Sequence, residues 1–244
     1  AAWIAAPLGV IPLDSLQSPM FRNEVAVPAD RPLRRARLYI TARGLYRCTL
    51  NGVRVGDGEF TPGWTSYRRR LQVQTYDVTP LLRPGPNVVG LLLGDGWYRG
   101  SLTWDLRRNS YGDRLMALAQ LHLEYEDGGE DVVATDGSWR AAPSPVLMSE
   151  LYHGETYDAR LEQPGWDAPG FDDGGWAAAE ECGEAIGAAD AAAGDEGGGG
   201  VFGGGVSGGG SVSGGGGAFG GSAPQLIPAE CPPVKPVEEL RPMQ

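Results

Sequence analysis

Cys and His, the residues on which disulfide frameworks, zinc sites and catalytic triads depend, are scarce in the sequence. Its 3 Cys, at positions 48, 182 and 231, are scattered without a CxxC pair, which argues against a disulfide framework and against structural zinc. Neither of its 2 His stands near a Ser or Cys nucleophile motif, so a triad is not indicated. No run approaches the roughly 18 apolar residues of a bilayer span, so we expect no membrane partner. The start Ala1-Ala2-Trp3 has no leader pattern, so a signal peptide is absent from it or already removed.

Positive charge is scarce toward the C-terminus. The formal net charge is −11. Residues 1–140 are nearly balanced, with 15 acidic and 17 basic side chains, whereas residues 141–244 hold 16 acidic and 3 basic side chains. An acidic surface repels phosphate, and no basic patch is interleaved with aromatic residues, so nucleic acid is not expected as a partner. We interpret the acidic tail as a solvated segment.

What is present is a series of short β-rich runs separated by turn residues. Asn51-Gly52 is the strongest hairpin signal, because a type I′ turn needs a positive φ at both central residues. Residues 71–76 and 115–125 alternate with a period of two, and residues 88–93 form a continuous apolar run that suits a strand buried on both faces. Turn residues every dozen or so positions predict an all-β fold, an antiparallel, jelly-roll-like β-sandwich.

Composition divides the chain into four stretches. Residues 1–35 form a leading segment, which either belongs to the main sandwich or completes a neighbouring one, and residues 36–178 form the main sandwich. Residues 179–222 are Ala-rich and acidic and then Gly-rich, with 16 Gly among the 25 positions 197–221. Such a stretch buries too little surface to offset its chain entropy, so a disordered linker or insert is predicted. The Pro-rich residues 223–244 are expected to be an extended connection to a missing domain.

Short blocks rich in Gly and aromatic residues follow one another in an order that is more informative than any single block. They are Ala36-Arg37-Leu38-Tyr39-Ile40-Thr41-Ala42, Gly44-Leu45-Tyr46, Leu50-Asn51-Gly52, Val55-Gly56-Asp57, Thr61-Pro62-Gly63-Trp64-Thr65-Ser66-Tyr67, Gln74-Thr75-Tyr76-Asp77-Val78-Thr79, Leu93-Gly94-Asp95-Gly96-Trp97-Tyr98-Arg99-Gly100, Tyr111-Gly112-Asp113-Arg114, Thr135-Asp136-Gly137-Ser138-Trp139 and Gly154-Glu155-Thr156-Tyr157-Asp158-Ala159-Arg160. This ordered series, over about residues 3–176, resembles the N-terminal region of the bacterial α-L-rhamnosidase family.

The resemblance implies a jelly-roll sandwich placed ahead of an α/α barrel. In the family, two carboxylates of that barrel perform inverting hydrolysis, one as general acid and one by activating water. No barrel is present in this sequence, so no catalytic residue is assigned and the chain alone is expected to be inactive. The implied function is that of an accessory domain of a glycoside hydrolase, with a rhamnose-containing glycan or glycoside and the catalytic domain of the same polypeptide as partners. The alternatives are a purely structural domain that packs against the barrel, and a fragment with its own hydrolytic site.

Aromatic residues beside Gly, Pro or Asp in predicted loops are the candidates for sugar contact. Sugar rings present C–H faces that lie on aromatic planes, and their hydroxyls need fixed polar partners. The alternative is that these aromatic rings cap the open ends of the sandwich core. The candidates are Trp64, Trp97, Tyr98 and Trp104, with Asp95 as the polar partner.

Oxygen-bearing side chains lie in or next to the same predicted loops. Calcium takes oxygen ligands and can bridge a protein to vicinal sugar hydroxyls, and the resemblance implies rhamnose recognition of this kind. Their spacing matches no self-contained calcium loop, so the ligands would have to converge from separate loops. The alternative is a set of solvated turn residues. The candidate ligands are Asp57, Asn109 and Asp113, with Asp105 in the same group of loops.

Overall fold

The computed structural model describes residues 1–183, 224–229 and 233–236, and this part of the chain is almost entirely β-structure. Its helical segments are one short helix, α1 (Gly96–Arg99), and two 3₁₀ turns at Thr79–Leu81 and Ala159–Leu161. The strands are β1 (Trp3–Ala5), β2 (Pro19–Val27), β3 (Leu33–Arg43), β4 (Leu45–Leu50), β5 (Val53–Arg54), β6 (Arg70–Asp77), β7 (Gly85–Gly94), β8 (Met116–Tyr125), β9 (Glu130–Ala134), β10 (Arg140–Pro143), β11 (Val146–Glu150), β12 (Gly154–Tyr157), β13 (Ala177–Ala178), β14 (Glu180–Cys182) and β15 (Gln225–Pro228).

Two sheets form the sandwich. The first has the order β14-β1-β8-β3-β6-β15, and β9 also pairs with β8. The second has the order β13-β10-β2-β7-β4-β5, while β11 and β12 form a separate hairpin. Among the described strands, β15 alone pairs in parallel, with Leu226 opposite Leu71 of β6. The predicted all-β sandwich is therefore confirmed, and its jelly-roll connectivity stays a prediction.

The core lies between the two sheets and follows the two hydrophobic patterns of the sequence. In β8 every second residue from Ala117 to Tyr125 is buried, as the period-two alternation predicts. In β7, Leu91 and Leu93 face this core. Leu92, by contrast, packs on a smaller cluster that contains Met20 and Trp176. The continuous apolar run of β7 therefore has a physical cause, because this central strand is covered on both faces.

The predicted hairpin between β4 and β5 is confirmed. Asn51 has φ 53° and Gly52 has φ 77°, and Thr49 pairs with Arg54 across the turn. The Asn51 side chain also connects the turn to neighbouring backbone. Its amide nitrogen donates to the Leu81 carbonyl at 2.9 Å, and its oxygen accepts from the Val88 N–H at 2.9 Å. The turn is thus tied to the connection between β6 and β7 and to β7 itself.

Residues at both ends of the described chain take part in the sheets. β1 pairs with β8 and β14, and β2 lies between β10 and β7, so residues 1–35 contribute strands to both sheets. The first residues of the predicted linker form β14 against β1. Residues 184–222, which are most of the predicted disordered linker and include its whole Gly-rich part, lie outside the described residues. Within the described ranges, the helices are too short and too polar to cross a membrane.

Candidate functional site

The connection between β5 and β6 is held to the sandwich by backbone contacts with β4. The Tyr46 N–H donates to the Thr61 carbonyl at 2.9 Å, and the Thr61 hydroxyl donates back to the Tyr46 carbonyl at 3.0 Å. Further along the connection, the buried Tyr67 donates its hydroxyl to the Gly63 carbonyl at 3.0 Å. Two anchors therefore flank Trp64, so this exposed ring stands on a fixed piece of backbone.

Three aromatic rings lie together beside this connection. The rings of Trp64 and Trp97 are stacked, with centroids 5.8 Å apart and planes inclined by 5°. Phe60 tilts against Trp97 at 6.0 Å. Trp64 is 55% exposed, and its indole N–H donates to the Tyr111 hydroxyl at 3.2 Å. Trp97 stands on α1 and is half-buried against the core, so the cluster joins the sandwich interior to solvent.

Polar side chains of β6 face the same space. The Gln74 amide nitrogen donates to the Pro62 carbonyl at 3.0 Å, and its oxygen accepts from the Tyr46 hydroxyl at 3.1 Å. That hydroxyl lies 3.1 Å from the Tyr76 hydroxyl. Burial raises the pKa of Tyr76, so this phenol stays neutral and able to donate. Gln72 makes no side-chain hydrogen bond with the described part of the chain, so its amide is available to a ligand.

Two carboxylates border this space, and each is held by a cation. Asp57 lies 2.6 Å from the Lys235 ammonium, and Glu59 lies 2.8 Å from the Arg54 guanidinium. The hydrogen bond from Lys235 lowers the pKa of Asp57, and the hydrogen bond from Arg54 lowers the pKa of Glu59. Both groups are therefore ionised at neutral pH, which suits acceptance of a hydrogen bond rather than donation of a proton.

These groups enclose one cavity of about 420 Å³, which we call the edge cavity. Its lining combines the rings of Phe60, Trp64 and Trp97 with the amides of Gln72 and Gln74. A concave, mostly apolar space with a few convergent polar groups is the usual form of a small-molecule site. The edge cavity brings together Trp64, Trp97 and Asp57 from the residues that the sequence singles out.

Asp95 and Tyr98 lie elsewhere, inside the protein. The Asp95 carboxylate is fully buried, pairs with Arg99 and accepts from Arg108 at 2.7 Å. Arg108 also pairs with Glu150. Tyr98 is buried and packs edge-on against Tyr67, with ring centroids 5.3 Å apart. The structure therefore places both residues in the packing beneath α1 and not on a surface that a sugar could reach.

The remaining candidates do not meet at one place. Trp104 is fully exposed, and its loop lies outside the edge cavity. Asp113 borders a separate, small cavity, and Asn109 is exposed with its N–H donating to the Arg99 carbonyl at 3.0 Å. Among the described residues, no three His, Cys, Asp or Glu side chains gather closely enough to hold a metal ion. Asp57 and Asp113 line different cavities, so neither cavity contains both of these candidate ligands, and a calcium site built on Asp57, Asn109 and Asp113 stays a prediction.

Sequence reasoning did not single out Gln72, Gln74, Phe60 or the segment after residue 223 as parts of a site. A signal was present for the first two, because the period-two pattern of β6 places Gln72 and Gln74 on one face of the strand. Polar residues on one face of a strand usually mark a solvated face. Only the structure shows that they border a cavity instead.

Comparison with known proteins assigns the family. The family described as "Alpha-L-rhamnosidase N-terminal domain" matches residues 31–193. An α-L-rhamnosidase of Streptomyces avermitilis is 46% identical over 178 residues, which are 73% of this chain but 17% of that relative. A structure of that organism's α-L-rhamnosidase complexed with L-rhamnose has a TM-score of 0.67 at 45% identity, over 69% of this chain and 16% of that one.

A fungal structure leads to the same assignment. The native α-L-rhamnosidase from Aspergillus terreus superposes with a TM-score of 0.71 at 42% identity, over 75% of this chain and 21% of that one. This chain therefore corresponds to a small part of much longer enzymes. With the family match over residues 31–193, these similarities show that the chain belongs to the α-L-rhamnosidase N-terminal domain family.

Proposed function

We propose that this domain is a non-catalytic module that recognises rhamnose-containing glycans, and that the edge cavity is its binding site. The observation that carries the proposal is the stacked pair of Trp64 and Trp97 beside the amide of Gln72, which makes no side-chain hydrogen bond with the described residues. An aromatic face binds the apolar C–H face of a sugar, while an amide can both donate to and accept from sugar hydroxyls. The structure of the Streptomyces relative complexed with L-rhamnose supports the choice of sugar.

The size and polarity of the edge cavity support a short glycan as the ligand. Its volume of about 420 Å³ falls within the roughly 300–1,000 Å³ of small-molecule sites. Gln74 is fixed by hydrogen bonds at both ends of its amide, and the Tyr76 hydroxyl is held beside Tyr46. Fixed polar groups lose little conformational entropy when they bind a sugar. These groups orient the ligand, and the indole rings provide most of its contact area.

The carboxylates of the edge cavity argue against hydrolysis at this site. Glycoside hydrolysis needs a carboxylic acid whose pKa is raised, so that it is protonated and can donate to the leaving group. The pKa values of Asp57 and Glu59 are both lowered by hydrogen bonds from cations, Lys235 and Arg54. Neither residue can serve as the general acid at neutral pH. Hydrolysis of a bound glycan would therefore depend on a separate catalytic domain of a longer protein.

Calorimetric titration of L-rhamnose into the chain tests this proposal. We expect saturable binding, and we expect Trp64→Ala to weaken it by up to about tenfold, because an aromatic contact is worth roughly 0.5–1.5 kcal/mol. Trp104→Ala is the matched control, since Trp104 is a more exposed Trp outside the edge cavity. Equal affinity in the wild type and the Trp64→Ala variant would refute the assignment of the site. The titration is repeated with a chelator, which is expected to leave the affinity unchanged.

A second candidate function is structural docking against another domain of a longer protein. The observation that favours it is the hairpin β11–β12 with the turn that follows, where Tyr152, Tyr157 and Leu161 are all exposed. Exposed apolar residues along one hairpin offer apolar surface that a neighbouring domain could cover. This candidate predicts that Tyr152→Ser and Leu161→Ser lower the thermal stability of a longer protein but not of this chain alone. Equal effects in both proteins would contradict it.

A further inference from the structure

The described residues near the C-terminus lie along one edge of the sandwich and border the edge cavity. We call residues 224–229 and 233–236 the edge segment. Its strand β15 pairs in parallel with β6, and the Gln225 N–H donates to the Arg69 carbonyl at 2.8 Å. This first attachment places the edge segment beside the strand that carries Gln72 and Gln74.

A second attachment lies on the β5–β6 connection. The Glu59 N–H donates to the Val234 carbonyl at 2.7 Å, and the Lys235 ammonium pairs with Asp57 at 2.6 Å. The approach of the two backbones is close, because a Cβ added at Gly58 would lie 3.2 Å from the Pro233 Cβ. The edge segment is thus attached on both sides of the edge cavity, to β6 on one side and to the β5–β6 connection on the other.

Three residues of the edge segment line the cavity: Ala229, Pro233 and Val234. They are small or apolar, and they bound the space rather than fill it, since about 420 Å³ remains open. A ligand that fills the edge cavity would therefore touch both the edge segment and the Trp64–Trp97 pair. Val234 is 56% exposed, so a ligand would also cover apolar surface that now faces water.

We propose that the edge segment is a wall of the sugar site, and that the bound glycan and the docked segment stabilise each other. This inference rests on the proposed function and adds residues 229, 233 and 234 to its binding surface. Because coupling between two binding events is reciprocal, a ligand that binds better to the docked form must hold the edge segment in place. The attachment of the edge segment to β6 and to the β5–β6 connection should then be tighter when the edge cavity is occupied.

The test uses the full chain with both attachments weakened, as the double variant Gln225→Pro, Lys235→Gln. The proline removes the N–H that donates to Arg69, and the glutamine removes the cation that pairs with Asp57. Neither altered side chain lines the edge cavity, but Lys235 pairs with Asp57, which does. The single variant Gln225→Pro leaves that pair intact, so it must also weaken binding if the effect acts through the position of the wall. We expect the affinity for L-rhamnose to fall about tenfold, within the usual range of coupling between sites.

Two further variants and one further measurement make the test specific. Val234→Ser removes apolar lining from the edge cavity and should also weaken binding of L-rhamnose. Arg160→Gln is the control, because it removes a cation from an exposed ion pair with Asp158 and should leave the affinity unchanged. Hydrogen exchange provides an independent readout, because saturating L-rhamnose should slow exchange of the Gln225 and Glu59 amides.

The outcomes separate this inference from the proposal on which it rests. If the wild type binds no L-rhamnose, the proposed function fails and the inference fails with it. If the wild type binds and the double variant binds equally well, the inference alone is wrong. Tighter binding by the double variant would show that the edge segment obstructs the cavity, which also overturns the inference.

Discussion

Substitution of Asp95 by Ala tests whether the turn Gly94-Asp95-Gly96, at the start of α1, has a structural role or a sugar-binding role. Its carboxylate is fully buried between Arg99, which is 4% exposed, and Arg108, whose guanidinium lies 2.7 Å away. Asp95→Ala leaves both guanidinium groups without this partner. Removing one member of a buried ion pair costs about 3–5 kcal/mol. We expect the lower end, about 3 kcal/mol, because Arg108 is partly exposed and keeps its pair with Glu150.

The assay is thermal unfolding of the Asp95→Ala variant beside the wild type. For a domain of this size, about 1 kcal/mol shifts Tm by roughly 2–4 °C, so a fall of about 6–12 °C is expected. Urea unfolding should show a lower midpoint with an unchanged slope, because the folded state keeps its compactness. The affinity for L-rhamnose, measured well below the Tm of the variant, should stay unchanged because Asp95 does not line the edge cavity.

Asp105→Ala is the matched control for this prediction. Asp105 is an exposed acid of the same region that accepts a hydrogen bond from the Thr103 hydroxyl, and its removal should leave Tm unchanged. The reasoning would be refuted if Asp95→Ala kept the wild-type Tm, because Asp95 would then not be the partner that compensates the buried guanidinium groups. Loss of L-rhamnose binding at an unchanged Tm would instead assign Asp95 to the ligand.

Three further predictions concern the core, a turn and the pH dependence of stability. Leu91→Ala empties a fully buried site in β7 and should lower the free energy of unfolding in urea by about 2–5 kcal/mol; a loss under about 1 kcal/mol would contradict the packing. Gly56→Ala should lower the free energy of unfolding by about 1–3 kcal/mol in the same assay and disturb the edge cavity. The reason is that Gly56 has φ +74° and that a Cβ at this position would lie 2.4 Å from Tyr76 Cε1. A wild-type urea midpoint would contradict this prediction. The hydrogen bond from Arg54 lowers the pKa of Glu59 in the folded state. The ionised Glu59 therefore stabilises the fold fully above the unfolded-state pKa of about 4.3, and this stabilisation is lost as the pH falls through the lower folded-state pKa. Glu59→Gln should therefore reduce the loss of stability on acidification, and an unchanged pH profile would contradict this cause.

Much of the fold could be predicted because local residue patterns here agree with the tertiary structure. Asn51-Gly52 specifies its hairpin through the positive φ that both residues adopt. The apolar run of β7 indicates a strand covered on both faces, and the second cluster around Trp176 supplies the second cover. The pairing of β15 with β6 was beyond sequence reasoning, because contacts between residues more than 150 positions apart leave no periodic signal.

The candidate site was predictable in part, for a different physical reason. Trp64 and Trp97 were expected to contact sugar and lie at the edge cavity, and their role there stays a prediction. Asp95 and Tyr98 belong to the same motif as Trp97, yet they point into the protein. A motif of Gly, Asp and aromatic residues indicates a turn but not the direction of each side chain. That direction depends on tertiary partners such as Arg108, which neutralises Asp95.

A crystal structure of the full chain soaked with L-rhamnose would show whether the edge cavity binds the sugar and which residues contact it. We predict density for one sugar in the edge cavity, with a ring face on the Trp64–Trp97 pair, a hydrogen bond to the Gln72 amide, and a contact with Val234. Density for the sugar at another place, such as beside Trp104, with the edge cavity empty, would show that the edge cavity is not the binding site.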